Sequence, residues 1–191
     1  MSRIVVTEFM TLDGIMEDPG GSENFRRGGW AFQFDRGQEG DQFKADELSA
    51  SEASLLGRVT YEGFAEAWPS RTGEFADKLN NMPKYVVSTT LDHADWNNTT
   101  VIKGNVADEI AKLKASPGGD ILVAGSGQLV QTLMEHDLVD EYRLMVFPVI
   151  LGSGKRLFKD GIDQHALRLV EAKPVGPAGV ITLVYRPERK G

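Results

Sequence analysis

Asp120-Ile121-Leu122-Val123-Ala124-Gly125-Ser126-Gly127-Gln128 runs from an unbroken apolar stretch straight into a glycine turn, and Ala53-Ser54-Leu55-Leu56-Gly57-Arg58-Val59-Thr60-Tyr61 repeats the pattern far upstream. A short apolar run bounded by glycine reads as a buried strand, and each of these turns opens a helix-like run. Both turns therefore lie at the carboxyl ends of strands, where open α/β sheets bind ligands. A helix start there offers unpaired N–H groups to a phosphate. The pair reads as two halves of one nucleotide cradle.

Working outward, residues 3–10 form a strand rich in Ile4, Val5, Val6 and Phe9, with Asp13-Gly14 as the turn after it. Between Asp18 and Gly40 glycines alternate with Trp30, Phe32 and Phe34, which reads as a long loop whose aromatics either anchor it or stack on a substrate. Residues 41–52 favour helix, with Phe43, Glu47 and Ala50 as a thin stripe, and the strand Ala53 to Leu56 follows almost at once. Lys84 to Thr89 and Thr99 to Ile102 are further strands. Asn105 caps a helix carrying Val106, Ile110 and Leu113 on one face, stopped by Pro117-Gly118-Gly119. Ser126 stands as the cap of another, whose Leu129, Val130, Leu133 and Met134 form a buried stripe. A strand from Glu141 to Ile150, then Leu167 to Lys173 and Val180 to Arg186 around Pro174-Val175-Gly176-Pro177-Ala178-Gly179, close the chain as antiparallel partners. Strands alternating with helices, then strands alone, predict an α/β fold with a mainly parallel sheet, an antiparallel carboxyl-terminal edge and helices on both faces.

At 191 residues the chain fits one domain spanning 1–191. Its 28 acidic against 21 basic side chains argue against a nucleic-acid surface, so any bound phosphate needs a local positive site. No cysteine occurs, which removes disulfides, thiolate nucleophiles and cysteine-held zinc and fits a cytoplasmic setting. No run reaches membrane-spanning length, and the opening Met1-Ser2-Arg3-Ile4-Val5-Val6 turns polar too soon for a signal peptide. His93, His136 and His165 have no metal-ligand spacing, so no metal is expected.

In the first turn Gly57 permits close backbone approach, Arg58 supplies a bidentate cation, and Thr60 and Tyr61 offer hydroxyls. The second turn lacks the third glycine and the distal acid of a Rossmann fingerprint. Gly152-Ser153-Gly154-Lys155 fails as a P-loop because Val149 and Arg156 stand where glycine and Ser/Thr belong. It reads as a turn whose amides line a neighbouring site or simply connect two segments. Chemistry without a nucleophile or metal motif points to a cofactor.

Taken together, Thr11-Leu12-Asp13-Gly14 after the first strand, Gly57 to Glu62, the strand ending Val87-Ser88-Thr89, and Ala124 to Gly127 resemble the dihydrofolate-reductase-like superfamily. Val139-Asp140-Glu141 followed by Phe147 to Gly154 is similar to the branch holding the reductase domain of the bifunctional riboflavin-biosynthesis enzyme. The resemblance covers nearly the whole chain. It implies a three-layer fold and an NADPH-dependent reductase that passes hydride to a small heterocyclic substrate, pyrimidine- or pteridine-like, in a homodimer. Gly57, Arg58, Thr60 and Tyr61 would hold the diphosphate and 2′-phosphate side, with Ser88 and Thr89 on the adenosine 2′-phosphate. Gly125, Ser126, Gly127, Gln128 and Leu129 would cradle the diphosphate from the other side. Thr11, Leu12, Asp13 and Gly14 would lie near the nicotinamide. Asp41, at a spacing before Gly57 similar to that of the dihydrofolate reductase acid, would be the buried proton relay, with Asp46 as fallback and a helix-start acid as the alternative. Ala124 replaces the acid by which the riboflavin enzyme holds its substrate ribose. A nucleotide-binding protein without turnover is the other reading.

Overall fold

Short connections between helices and apolar strands leave parallel pairing as the way to satisfy the strand backbones, since each helix carries the chain back to the end where the next strand begins. The computed structural model, which describes residues 1–188, has this arrangement. Its elements are β1 (Ile4–Thr11), α1 (Gly37–Ala50), β2 (Ser51–Gly57), α2 (Arg58–Ala67), α3 (Glu74–Asn81), β3 (Lys84–Val87), β4 (Thr99–Ile102), α4 (Val106–Ala115), β5 (Asp120–Ala124), α5 (Gly127–Glu135), β6 (Glu141–Phe147), β7 (Leu167–Val175) and β8 (Val180–Pro187). The strands hydrogen-bond in the order β4-β3-β2-β5-β1-β6-β8-β7. β2 is parallel to β3 and β5, and β3 to β4, whereas β6, β8 and β7 pair antiparallel. The mostly parallel sheet with an antiparallel carboxyl-terminal edge is the expected one. Among the described residues no helix is long and apolar enough to cross a membrane.

Contacts divide the chain into two compact units, Met1–Val5 with Ala45–Val139, and Val6–Lys44 with the chain from Asp140 onward. The first unit has a core of Val5, Leu48, Leu56, Tyr61, Leu79, Met82, Val86, Trp96 and Leu122. α4 is capped as the sequence implies, Asn105 accepting the Asp108 N–H at 3.4 Å, and Ile110 is fully buried. All four residues of the α5 stripe are buried.

α3 has no counterpart in the sequence reading, although Glu74 and Asp77 sit in its first turn, the favourable end for acids, and Ala76 and Leu79 face the core. It ends on a buried cation. Lys84 Nζ donates to the carbonyls of Leu79, Asn80 and Met82 at 2.9–3.0 Å and lies 4.4 Å from the Trp96 ring centroid. Those carbonyls are the acceptors a helix end leaves open, and an ammonium complements that end of the dipole.

The second unit packs around Phe147, whose ring meets Phe9 and Trp30 edge-on at 5.4 Å and Phe34 at 6.3 Å. Trp30 and Ala31, on a single 3-10 turn, are buried with Met145, Phe147, Val175 and Val180, while Phe32 is 79% exposed. The glycine-rich loop is thus anchored by Trp30 and Phe34. Asp18, buried at φ +46, gathers its start by accepting the N–H groups of Glu23 and Phe25 at 3.0 and 3.2 Å.

Several boundaries differ from the sequence reading, among them that of β3, which stops at Val87 instead of running on to Thr89, the Ser88 hydroxyl closing a turn there. β6 stops at Phe147 because Pro148 has no N–H to continue the ladder. α1 begins at Gly37 and buries Glu47 and Leu48, leaving Ala50 exposed, so the core stripe is not the one expected. β2 begins at Ser51 rather than Ala53.

Burial pushes the Lys84 ammonium down to about 8 from 10.5. Between those values the unfolded chain holds a proton that the folded chain lacks, so raising the pH favours folding. Urea denaturation should show the stability of the wild type relative to Lys84→Met flat below pH 8 and rising above it, at up to about 1.4 kcal/mol per pH unit.

Candidate functional site

Parallel register sets β2 and β5 side by side, Leu55 against Val123, so that Gly57 and Ala124 end neighbouring strands. Gly57 in turn pairs with Val87 at the end of β3. From Gly57 the chain enters α2 directly. From Ala124 it passes through two left-handed residues, Gly125 at φ +66 and Ser126 at φ +66 and ψ +62, before α5 begins.

The left-handed turn gives Ser126 a role other than capping its own helix. Its Oγ accepts the Gly57 N–H at 2.7 Å and donates to Thr60 Oγ1 at 3.0 Å, and it makes no cap hydrogen bond to α5. The approach is close enough to require glycine on both sides. A Cβ on Gly57 would lie 2.6 Å from Ser126 Oγ, and one on Gly125 would lie 2.6 Å from Thr60 Oγ1. The two glycine turns are one structure, stitched by a single hydroxyl.

That stitch brings two helix starts together. The first helical bond of α5 runs from the Val130 N–H to the Ser126 carbonyl at 3.0 Å, which leaves the N–H groups of Gly127, Gln128 and Leu129 without acceptors inside the helix. Arg58, Val59 and Thr60 hold the same positions in α2. Each start carries the positive end of a helix dipole, and neither has an acid in its first turn. Arg58 adds a full positive charge. Its guanidinium is held by Glu62, Nη1 donating to Oε1 at 3.1 Å and Oε2 at 2.9 Å, with both side chains nearly half exposed. Such a place is suited to an anion.

Around the cradle the other expected residues separate. Ser88 is buried, and its Oγ accepts the N–H groups of Thr90 and Leu91 at 3.2 and 2.9 Å, closing the turn after β3, while Thr89 is exposed. Gln128 is exposed, and Leu129 buries its side chain so that only its N–H faces the turn. Tyr61 is 4% exposed, packs on Trp96, and its hydroxyl accepts the Trp96 N–H at 3.1 Å. Four residues beyond Gly57, it falls on the core side of α2. Tyr61, Glu62, Glu66, Leu91, Asp95 and Trp96 are among the residues lining a groove of about 680 Å³ along that helix.

In the second unit Thr11, Leu12, Asp13 and Gly14 form the turn that ends β1. Gly14 takes φ +83 and its N–H reaches the Thr11 carbonyl at 3.0 Å. Thr11 Oγ1 donates to Asp13 Oδ1 at 2.6 Å and accepts the Ile15 N–H at 2.9 Å. The Asp13 carboxylate then accepts the N–H groups of Gly152 at 2.8 Å and Leu151 at 3.2 Å. The failed P-loop segment is therefore a turn whose amides are spent on side chains, Asp13 and also Glu17, which accepts the Lys155 N–H at 2.8 Å. Burial pushes the Asp13 carboxyl up, but the bonds from Thr11, Gly152 and Leu151 outweigh it and hold the group below its usual range. Leu12 is left 66% exposed.

Asp41 is not buried as the resemblance implies. Its side chain is 69% exposed and pairs with Arg36 at 2.7 Å, and Asp46 is exposed as well. Neither is the buried carboxylate that the resemblance implies. On α1 the buried acid is Glu47, which stands where the hydrophobic periodicity allowed only a stripe residue. The three histidines are exposed, and no group of three or more metal-binding side chains occurs among the described residues.

Comparison with known proteins agrees with this architecture. The family model described as the RibD C-terminal domain matches residues 2–181. The uncharacterized protein YyaP of Bacillus subtilis (strain 168) is 31% identical over 188 residues, 96% of this chain and 94% of that protein. Among solved structures, a putative riboflavin biosynthesis protein from Shewanella sp. PV-4 superposes with a TM-score of 0.76 at 21% identity, covering 98% of this chain and 99% of that one. Dihydrofolate reductase from Enterococcus faecalis, complexed with NADP(H), superposes with a TM-score of 0.59 at 14% identity, covering 98% and 97%.

Two outcomes check the geometry. Gly57→Ala should cost about 1–3 kcal/mol by overpacking against Ser126, and Ser126→Gly in the same chain should recover most of it in thermal denaturation, whereas losses that simply add would remove the contact as the cause. Asp13→Asn should cost about 1–3 kcal/mol at neutral pH by leaving an amide N–H facing an NH2 group. Because the folded Asp13 carboxyl titrates below the usual 3.8, its contribution is present above that value and is lost as pH falls through the folded one, so the gap between wild type and variant should narrow in acid.

Proposed function

The chain belongs to the RibD C-terminal domain family, and from that premise we propose that it is an NADPH-dependent reductase, passing hydride to a small heterocyclic substrate of pyrimidine or pteridine type. The observation that carries the reading is the stitch of Gly57, Thr60 and Ser126, which sets two helix starts against each other with no acid in either first turn. Two positive helix ends that converge repel unless an anion lies between them, and a diphosphate supplies that charge. The donor set fits: the backbone N–H groups of Arg58, Val59 and Thr60 from one side, those of Gly127, Gln128 and Leu129 from the other, and the Thr60 hydroxyl, whose oxygen already accepts from Ser126. Arg58 with Ser88 and Thr89 would hold the 2′-phosphate, since a guanidinium matches phosphate in charge and fork geometry. The nicotinamide, when bound, supplies the hydride.

The second reading, nucleotide binding without turnover, is favoured by the exposure of Asp41, which removes the acid expected to relay a proton. The two readings part on a direct assay: NADPH oxidation with pterins and pyrimidinones supports a reductase, and tight NADPH binding with no oxidation on any of them supports a binding protein.

For the cofactor, NADPH should stabilise the protein against heat more than NADH at equal concentration, because selective binding raises stability with ligand concentration. Arg58→Ala should weaken NADPH about tenfold or more while leaving NADH nearly unchanged, the loss of one charge-assisted phosphate contact. Absence of binding by either nucleotide at millimolar concentration would overturn the proposal.

A further inference from the structure

The cradle carries its positive charge in an electrostatically awkward place. Arg58 is the first residue of α2, where the helix dipole is already positive, and Ser126 brings the start of α5 alongside. A cation at a helix start is disfavoured, and an Arg placed four residues before a Glu is the weaker orientation of that pair. The pair is nonetheless formed, with one guanidinium nitrogen shared between both Glu62 oxygens and both side chains about half in water. Lys103, directly after β4, is likewise paired, with Asp92 at 2.8 Å. Glu62 does not stand alone either: Glu66 and Asp95 line the same groove along α2, a field that opposes phosphate.

The geometry points to Glu62 as a specificity-determining residue that competes with the cofactor's 2′-phosphate for Arg58. This inference rests on the nucleotide reading above and adds a residue to it. In the nucleotide-free protein Glu62 neutralises Arg58 and holds it along the helix. The 2′-phosphate takes the guanidinium over, and to do so it must first displace the Glu62 carboxylate from it. Glu62 therefore lowers the affinity for the phosphorylated nucleotide and leaves the unphosphorylated one untouched. Its strength suits a displaceable partner, since exposed i,i+4 pairs are weak.

A double-variant cycle tests this on the full chain, with NADPH, NADH and adenosine 2′,5′-bisphosphate as probes titrated against wild type, Glu62→Gln, Arg58→Ala and the combined variant. Glu62→Gln should tighten NADPH and the bisphosphate by about two- to fivefold, leave NADH unchanged, and shift the preference between the dinucleotides by the same factor. In the Arg58→Ala background the effect should vanish, and added salt should shrink it in the wild-type background. Equal effects on NADPH and NADH, a weaker grip on NADPH, or a gain that survives without Arg58 would each overturn the role of Glu62 while leaving nucleotide binding intact. Failure of the wild type to bind any of the three probes would instead overturn the nucleotide reading and this inference with it.

Discussion

One hydroxyl governs the geometry of the cradle. Ser126 Oγ is at once the acceptor of the Gly57 N–H and the donor to Thr60, and it reaches both only because residues 125 and 126 take the left-handed conformation. Left-handed backbone at a non-glycine residue costs roughly 1 kcal/mol or more and persists only where its surroundings over-determine it. Here the surroundings are two neighbouring parallel strands and the side chains of Ser126 and Thr60, which crowd the positions a Cβ would take at Gly57 and Gly125. Because the serine is turned across the gap, it cannot cap its own helix. The first turn of α5 is thereby left open to a ligand, and the same is true of α2, whose cap residue is a glycine.

The second unit solves a different problem with similar means. A long glycine-rich loop has a large conformational entropy to lose, and few of its residues bury apolar area. Trp30 and Phe34 pack on Phe147, and Asp18 gathers backbone N–H groups near the loop's start. Asp13 performs the corresponding task at the end of β1, fastening the turn of residues 151 and 152. At Asp13 the accepted O–H and N–H groups outweigh burial and hold the carboxyl below its usual range.

Charge placement links fold to function. The chain as a whole is acidic, with a net charge of −7, so attraction of a phosphate has to be local. The proposed site offers two helix starts and one arginine, with Glu62 four residues and Glu66 eight residues beyond Arg58 on the same helix. Opposing charges that close together would make the proposed anion site selective as well as attractive, because Arg58 already has a partner to give up.

Much of this was legible in the linear pattern. Apolar runs with β-branched residues located the strands, Asn105 marked the start of α4, the spacing of Leu129, Val130, Leu133 and Met134 fixed the buried face of α5, and glycine after each strand marked the turns. These are local signals, set by period, capping and steric freedom within a few residues. α3 was missed because its apolar residues are only Phe75, Ala76 and Leu79, and the burial of Tyr61 was not legible because a hydroxyl in a promising motif says nothing about which side of the helix it faces. The exposure of Asp41 was hidden for the same reason in reverse: a spacing to Gly57 specifies distance along the chain and not burial. That Ser126 would bond to Gly57 and Thr60, that Lys84 would close a helix, and that Asp13 would consume the Gly152 amide were decided by tertiary structure alone. Each joins segments brought together by strand register or chain folding, and no local propensity encodes which partner a side chain meets there.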